Sequence, residues 1–318
     1  MNMELLKFIA EPVRKNVRKG DKVLILSDFK TEKEIQDALV AAVIFQEAVP
    51  VLMIIPPVKV FGNEPPEMVA KAAKESDLVI IACSTAMGHT NAIRGNRYLT
   101  MSGVTVKSLT TGAATADYNE VYRLTREIAD IVTTGSIVHV TTEKGTDITL
   151  SVEGRKATPL ASVVDEDGQG KAAFPDGEVA IAPVEGTANG VIVVDGSIHH
   201  FGLVKEDVRL IVKEGRVVQI DGGKTAKDFY QFVKENGDEN SFNIAEFALG
   251  TNYAASITAN TQDAKKTIGT VHFALGDNIT LGGHTYSKIH MDMVVSNCTV
   301  SIDGKLILKD NRFIHKSP

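Results

Sequence analysis

Cysteine is scarce in this chain, and the two cysteines that occur lie far apart. Cys83 and Cys298 are in opposite halves of the sequence, and neither belongs to a Cys-x-x-Cys pair. This spacing argues against a disulfide framework and against a thiolate zinc site. Any metal must therefore be held by histidine, aspartate and glutamate side chains.

Long apolar runs and an excess of positive charge are missing as well. No run of about 18 apolar residues is available to span a bilayer, and the N-terminal segment is too charged for a signal peptide. The formal net charge of −6 gives no reason to expect nucleic acid or an anionic membrane as a partner. We expect a cytoplasmic protein that acts on a small-molecule or peptide substrate.

The first half also lacks the glycine-rich signatures GxGxxG and GxxxxGK[ST], so a dinucleotide or a nucleoside triphosphate is not predicted. Short apolar runs alternate there with segments of helical periodicity, which indicates a parallel sheet with crossover helices. The predicted strands are 23–26 and 51–55, which we expect to be buried, 78–83 and one near 104–106. The predicted helices are 31–47, with Thr31 as N-cap, 64–75 and 118–132.

The second half, from about residue 137, has a different sequence pattern. Short apolar or alternating segments, among them 138–141, 147–152 and 208–212, are predicted to be strands. Turn signals such as Glu214-Gly215 and Asp303-Gly304 separate the strands, and one clear helix is predicted over 224–236. The sequence therefore predicts an α/β protein in which a parallel-sheet α/β domain (1–135) precedes a β-rich α+β domain (136–318) that carries a metal site.

Candidate metal ligands are polar side chains set singly inside apolar segments, because burial of an unpartnered carboxylate is costly. In a strand over 288–295, His290 and Asp292 share one face while Met291 and Met293 point to the other. Each candidate taken alone has an ordinary structural explanation. Together they suit one or two Zn²⁺, Mn²⁺, Co²⁺ or Fe²⁺ ions: Glu178, Glu246, His272, His290 and Asp292.

Two further residues precede the last pair in the chain. His284 is a candidate proton shuttle or spare ligand, and Tyr286 is a candidate acid or hydrogen-bond donor to a tetrahedral intermediate.

Four motifs in order resemble the aminopeptidase T/aminopeptidase S family of metallopeptidases: PDGEV (175–179), NIAEFALG (243–250), GTVHFALG (269–276) and HMD (290–292). The resemblance implies a homodimeric, thermally robust metallo-aminopeptidase. It also implies two metal ions, Zn, Co or Mn, held by the five candidate ligands, with Glu178 or Glu246 as general base for a metal-bound water. Members of that family carry a longer insertion and a tyrosine after the position of His272, where this chain has Asp277-Asn278-Ile279.

Two alternatives remain. The resemblance extends to 2,5-dihydroxypyridine 5,6-dioxygenase, a non-haem Fe(II) enzyme that looks like a member of the same superfamily. His290 and Asp292 suit the metal site of that enzyme, with His272 or His284 as the third ligand. The compact length and the segment 88–94 favour this alternative. One iron with Glu246 unliganded would indicate the dioxygenase, and two ions bridged by a carboxylate would indicate the hydrolase. The third hypothesis is a metal-free binding protein that keeps the fold.

Overall fold

The computed structural model describes residues 2–58, 64–88, 90–164 and 170–314; His89, in the segment 88–94, lies outside them. The chain forms two compact units. One contains Met1–Asn119 and Leu160–Asp176, and the other contains Glu120–Pro159 and Gly177–Pro318. The sequence predicts a single boundary after residue 135, whereas here the chain crosses between the units three times. The difference arises because a later segment supplies the last strand of the parallel sheet.

The helices among these residues, in chain order, are α1 (Met3–Asn16), α2 (Lys33–Phe45), α3 (Glu67–Lys74), α4 (Val106–Thr110), α5 (Tyr118–Thr134), α6 (Lys224–Asn236) and α7 (Thr261–Ala264). None of the helices in the described ranges has the length and apolar character needed to cross a membrane.

The strands are β1 (Lys22–Asp28), β2 (Val49–Ile55), β3 (Leu78–Ala82), β4 (Tyr98–Thr100), β5 (Ile137–Thr141), β6 (Asp147–Ser151), β7 (Thr158–Leu160), β8 (Lys171–Ala173), β9 (Glu178–Ile181), β10 (Asn189–Val194), β11 (Ser197–Ile198), β12 (Gly202–Leu203), β13 (Val208–Lys213), β14 (Arg216–Asp221), β15 (Ile244–Gly250), β16 (Val271–Gly276), β17 (His290–Val295), β18 (Thr299–Ile302), β19 (Lys305–Lys309) and β20 (Arg312–Phe313).

The first unit contains a parallel sheet in the order β2-β1-β3-β4-β8, as the alternation of apolar runs and helices predicts. The central strands β1 and β3 are buried almost throughout, which explains their continuous apolar sequences. The predicted fold class, with a parallel-sheet part and antiparallel β-rich sheets, is confirmed.

Three local predictions in this unit are wrong. Strand β2 is not buried: it forms the edge of its sheet, and Val51 is 54% exposed. The segment near 104–106 is not a strand, because Thr105 caps α4 by accepting a hydrogen bond from the backbone N–H of Ser108 at 3.0 Å. Thr31 is not an N-cap; its hydroxyl donates to the carbonyl oxygen of Ala82 at 2.7 Å.

The second unit contains two antiparallel sheets. One has the order β14-β13-β10-β6-β5-β18-β19-β20, and the other has the order β12-β11-β17-β16-β15-β9-β7. The predicted two-residue turns Glu214-Gly215 and Asp303-Gly304 join β13 to β14 and β18 to β19. Both residues of each turn have positive φ, which matches the right-handed twist of the flanking strands. Helix α6 has the predicted bounds.

One hydrophobic core joins the two sheets of this unit and includes side chains from α5 and α6. Strands β15, β16 and β17 contribute alternate residues to it, for example Phe247, Phe273 and Met293. Because side chains alternate across a strand, the residues between them project from the opposite face of the seven-stranded sheet. That face carries the candidate metal ligands.

Candidate metal centre

All five candidate ligands lie on the face of the seven-stranded sheet that points away from the hydrophobic core. They are contributed by four adjacent strands, β9, β15, β16 and β17. The flanking residues of β17, Met291 and Met293, are in the core, as predicted from the period of two. The four motifs, which are distant in sequence, therefore meet because antiparallel pairing sets their strands side by side: Glu178, Glu246, His272, His290 and Asp292.

Each of these side chains has at least one small cross-strand neighbour. Every candidate ligand has an alanine or a glycine directly opposite it on an adjacent strand. Large neighbours at these positions would fill the space that the ligands occupy, since opposing Cβ atoms in a sheet lie only about 5 Å apart. The pairs are Glu178 with Gly250, His272 with Ala248, Glu246 and Asp292 with Ala274, and His290 with Gly276.

A β-bulge in β15 determines the direction of Glu246. The register shifts so that Ile244 pairs with Leu275 and Glu246 pairs with Ala274, which leaves Ala245 as an extra residue. Ile244 can therefore lie in the core while Glu246, two residues later, points to the other face.

The closest group contains Glu246, His290 and Asp292, whose ligand atoms all lie within 4.8 Å of one another. His290 Nε2 is 2.8 Å from Glu246 Oε2 and 3.1 Å from Asp292 Oδ1. Neighbouring ligand atoms of an octahedral divalent ion with bonds near 2.1 Å are about 3 Å apart, so this group can enclose one ion after small adjustments.

Unsatisfied polar atoms in the site support the same interpretation. Glu178 Oε2, Asp292 Oδ1 and His272 Nδ1 are buried and have no hydrogen-bond partner. Buried polar atoms are nearly always satisfied, and a cluster of exceptions on one face indicates a missing ligand. The oxygen and nitrogen donors fit a hard or borderline divalent ion.

The tautomer of His290 is fixed by the loop that precedes β17. Its Nδ1–H donates to the carbonyl oxygen of Asp277 at 2.7 Å, so the lone pair of neutral His290 is on Nε2, which faces the two carboxylates. The ring is 35% exposed and forms the solvent-facing edge of the group. His272, by contrast, is fully buried, and its Nε2 lies 3.2 Å from Glu246 Oε1.

Two lysines, Lys265 and Lys266, complete the site, and sequence reasoning missed both. Lys265, the residue after α7, places Nζ 3.3 Å from Glu178 Oε1 and 3.1 Å from Asp292 Oδ2. Lys266 Nζ lies 3.5 Å from Glu178 Oε1. Their sequence context, a Lys-Lys pair after a short polar helix, is typical of a solvated surface and gives no signal of burial.

These charges oppose the effect of burial on the carboxylates. Burial favours the protonated form, but Lys265 and then His290 hold the pKa of Asp292 well below its ordinary value. Burial would also raise the pKa of Glu246, but hydrogen bonds to His272 and His290 hold that pKa far below its usual range. Burial would lower the pKa of Lys265, but Asp292 and then Glu178 raise it well above its ordinary value.

Three further residues define the surroundings. Tyr286 is 68% exposed, and its carbonyl oxygen accepts from Asn240 Nδ2 at 3.0 Å; His284 is exposed, and its backbone N–H donates to Glu185. Neither side chain has a contact with the five ligands among the described interactions. His199 is half-buried, and its backbone N–H donates to the carbonyl oxygen of Asp292 at 2.9 Å.

Known proteins resemble the chain in sequence and in fold. A 2,5-dihydroxypyridine 5,6-dioxygenase of Pseudomonas putida KT2440 is 25% identical over 183 residues, which are 54% of this chain and about half of that protein, 52%. The structure of the 2,5-dihydroxypyridine dioxygenase from the same strain superimposes with a TM-score of 0.83 at 19% identity, covering 99% of this chain and 98% of the other. Wild-type AmpT from Thermus thermophilus superimposes with a TM-score of 0.71 at 14% identity, covering 98% and 99%.

These comparisons correct the predicted activity. The prediction of a zinc-type metallo-aminopeptidase, a hydrolase, is wrong as the main reading, since the curated relative carries a dioxygenase name and AmpT is similar only in fold. The shared superfamily is supported, but the aminopeptidase T/aminopeptidase S family itself is not confirmed. Residues 6–315 match the family model NicX, described as 2,5-dihydroxypyridine 5,6-dioxygenase, and the chain belongs to this family of enzymes.

Proposed function

We propose that the protein is a mononuclear non-haem iron dioxygenase that opens the ring of 2,5-dihydroxypyridine or a closely related hydroxylated pyridine. The observation that carries the proposal is that the family match, residues 6–315, includes all three residues of the compact ligand group Glu246, His290 and Asp292. The match to the curated relative spans only half of that protein, so its substrate is transferred here as part of the proposal.

We assign the metal ligands to His290 Nε2 and to one oxygen each of Asp292 and Glu246. This assignment departs from the expectation that a dioxygenase would leave Glu246 unliganded and use His272 or His284, because Glu246 Oε2 lies 2.8 Å from His290 Nε2 in the compact group. In this assignment His272 is a supporting residue, because its Nε2 lies beside the second oxygen of Glu246 and orients that carboxylate. The exposed His284 is not included. A bound Fe(II) ion would supply oxygen activation and an electrophilic position for the substrate hydroxyl groups.

The protein residues keep this site ionised and oriented. Asp292 presents Oδ1 to His290 and Oδ2 to Lys265, so a single oxygen of Asp292 is available to the metal. Lys265 and Lys266 balance part of the negative charge of Glu178, Glu246 and Asp292. The site can therefore hold three buried carboxylates that remain anionic at neutral pH.

The reaction needs no external reductant. The bond between ring carbons 5 and 6 breaks, both atoms of O₂ enter the product, and the electrons that reduce O₂ come from the dihydroxylated ring. The open side of the group, at the partly exposed His290, is where a flat aromatic substrate can approach the metal.

The test is oxygen uptake by protein that has been loaded anaerobically with Fe(II) and mixed with 2,5-dihydroxypyridine. We expect one O₂ consumed per ring opened, two ¹⁸O atoms in the product from ¹⁸O₂, and no release of nitroaniline from aminoacyl nitroanilides. His290→Ala is the matched inactive control. Stoichiometric iron without oxygen uptake would refute the assigned activity, whereas absence of any bound metal would favour the metal-free binding protein.

The predicted homodimer and the predicted cytoplasmic location stay predictions. Sedimentation of the full chain and fractionation of cells that produce it would test them.

A further inference from the structure

The position of Lys265 within the metal centre suggests a role beyond charge balance. Its ammonium group lies between Glu178 and Asp292, at 3.3 and 3.1 Å, and its side chain is 11% exposed. This buried lysine therefore contacts two carboxylates at once.

Each carboxylate oxygen of Asp292 contacts a different nitrogen group. One oxygen, Oδ1, is 3.1 Å from His290 Nε2 in the compact group, and the other, Oδ2, is 3.1 Å from Lys265 Nζ. The two oxygens thus serve two separate cation positions. The second position is lined by Glu178, and His272 Nε2 lies 3.9 Å from Glu178 Oε2.

The charges of the site lead to the same conclusion. With His290 neutral, the three carboxylates and the two ammonium groups that contact them carry one net negative charge, which one dication more than compensates. A second dication beside the lysines would add two further positive charges to this buried group, which is strongly unfavourable. Removal of Lys265 lowers this cost and vacates the space beside Glu178 and Asp292.

We infer that Lys265 is a built-in cation that takes the place of a second metal ion and so restricts the centre to one metal. This inference rests on the metal site of the proposed function. Lys265 is in this sense a metal-number determinant, and Glu178 is its counter-ion in the wild-type protein rather than a metal ligand.

The test is the metal content of purified full-length variants equilibrated with Mn²⁺, measured by mass spectrometry after removal of free ion. We expect one Mn²⁺ per chain in the wild type and two in Lys265→Ala, with the spin-coupled electron paramagnetic resonance spectrum of two ions that share a carboxylate. Lys265→Arg retains a cation and should bind one ion. Lys266→Ala is the matched control, since Lys266 Nζ lies 3.5 Å from Glu178 Oε1, whereas Lys265 contacts both Glu178 and Asp292, and it should also bind one.

Glu178→Gln gives an independent readout. Alone it should leave one Mn²⁺ per chain, and in the Lys265→Ala background it should reduce the content from two ions to one. One ion in Lys265→Ala, or loss of the ion in Glu178→Gln, would overturn the inference. The Glu178→Gln measurement remains a test even if Lys265→Ala fails to fold.

The two proposals fail separately. A change from one ion to two in Lys265→Ala, without oxygen uptake by the wild type, would support the inference and refute the proposed activity. Oxygen uptake by the wild type, with one ion still bound in Lys265→Ala, would support the proposed activity and refute the inference.

Discussion

Metal binding should release one proton from His290 over a defined pH range. In the metal-free site its Nε2 is 2.8 Å from Glu246 Oε2 and 3.1 Å from Asp292 Oδ1, while Nδ1 is bonded to the carbonyl oxygen of Asp277. Burial alone would lower the pKa of His290, but the carboxylates of Asp292 and then Glu246, which both face Nε2, raise it well above the ordinary value of 6.5. The ring is therefore doubly protonated at pH 6.5, and a metal must displace the proton on Nε2.

The expected magnitude follows from this exchange of a proton for an ion. Below the raised pKa of His290, each unit decrease in pH should weaken the apparent affinity about tenfold, or about 1.4 kcal/mol, because one proton competes with each metal ion. Above that pKa the affinity should level off. The carboxylates do not contribute in this range, because their pKa values are lowered and they are already ionised.

Isothermal titration with Mn²⁺ in two buffers of different ionisation enthalpy measures the number of protons released. We expect close to one at pH 6.5, falling towards zero as the pH rises through the raised pKa. Zero protons at pH 6.5 would show that His290 is neutral in the metal-free site and would refute the reasoning. The metal-free protein provides a second check: a raised folded-state pKa stabilises the fold below the unfolded-state pKa, so its Tm should fall as the pH rises from about 6.5 through the folded-state pKa.

Other substitutions test neighbouring parts of the structure. His290→Ala should remove the metal, whereas His199→Ala should retain it, as measured by metal analysis of both purified variants. Tyr286→Phe should leave oxygen uptake unchanged, since this side chain is 68% exposed and outside the ligand group; a large loss would place Tyr286 in the reaction. Glu185→Ala should reduce the free energy of unfolding by about 1–3 kcal/mol in urea titrations, because the Glu185 carboxylate binds Asn278, the backbone of His284 and Arg155. Phe247→Ala should cost about 3–5 kcal/mol, because it opens a cavity in the shared core.

Most of the fold follows from periodicity. Continuous apolar runs predicted β1 and β3, and alternation predicted β5, β6 and β13, because one or both faces of those strands are buried. Periodicity could not distinguish a central strand from the edge strand β2, since both are apolar. It also could not recognise that Thr105 begins a helix, because the capping interaction with Ser108 acts on two polar side chains that carry no periodic signal.

The residues that meet on this sheet face could be found from sequence for a related reason. A histidine or a carboxylate inside a buried strand interrupts an apolar run, and the opposing alanine or glycine can be read in the motifs around Glu246 and His272. The bulge that turns Glu246 towards the site could not be predicted, because it depends on the register between β15 and β16.

The lysines explain why the same motifs were read as a two-metal hydrolase. Five ligand side chains on one sheet face are chemically able to hold one ion or two, so the ligands alone do not determine the chemistry. We infer that the number of ions depends on the ammonium group of Lys265, a residue outside every motif. Lys265 enters the site from the end of α7 along a flexible side chain, a direction that neither spacing nor periodicity encodes. The choice between one- and two-metal chemistry in this fold therefore depends on the cations that flank the ligands as much as on the ligands themselves.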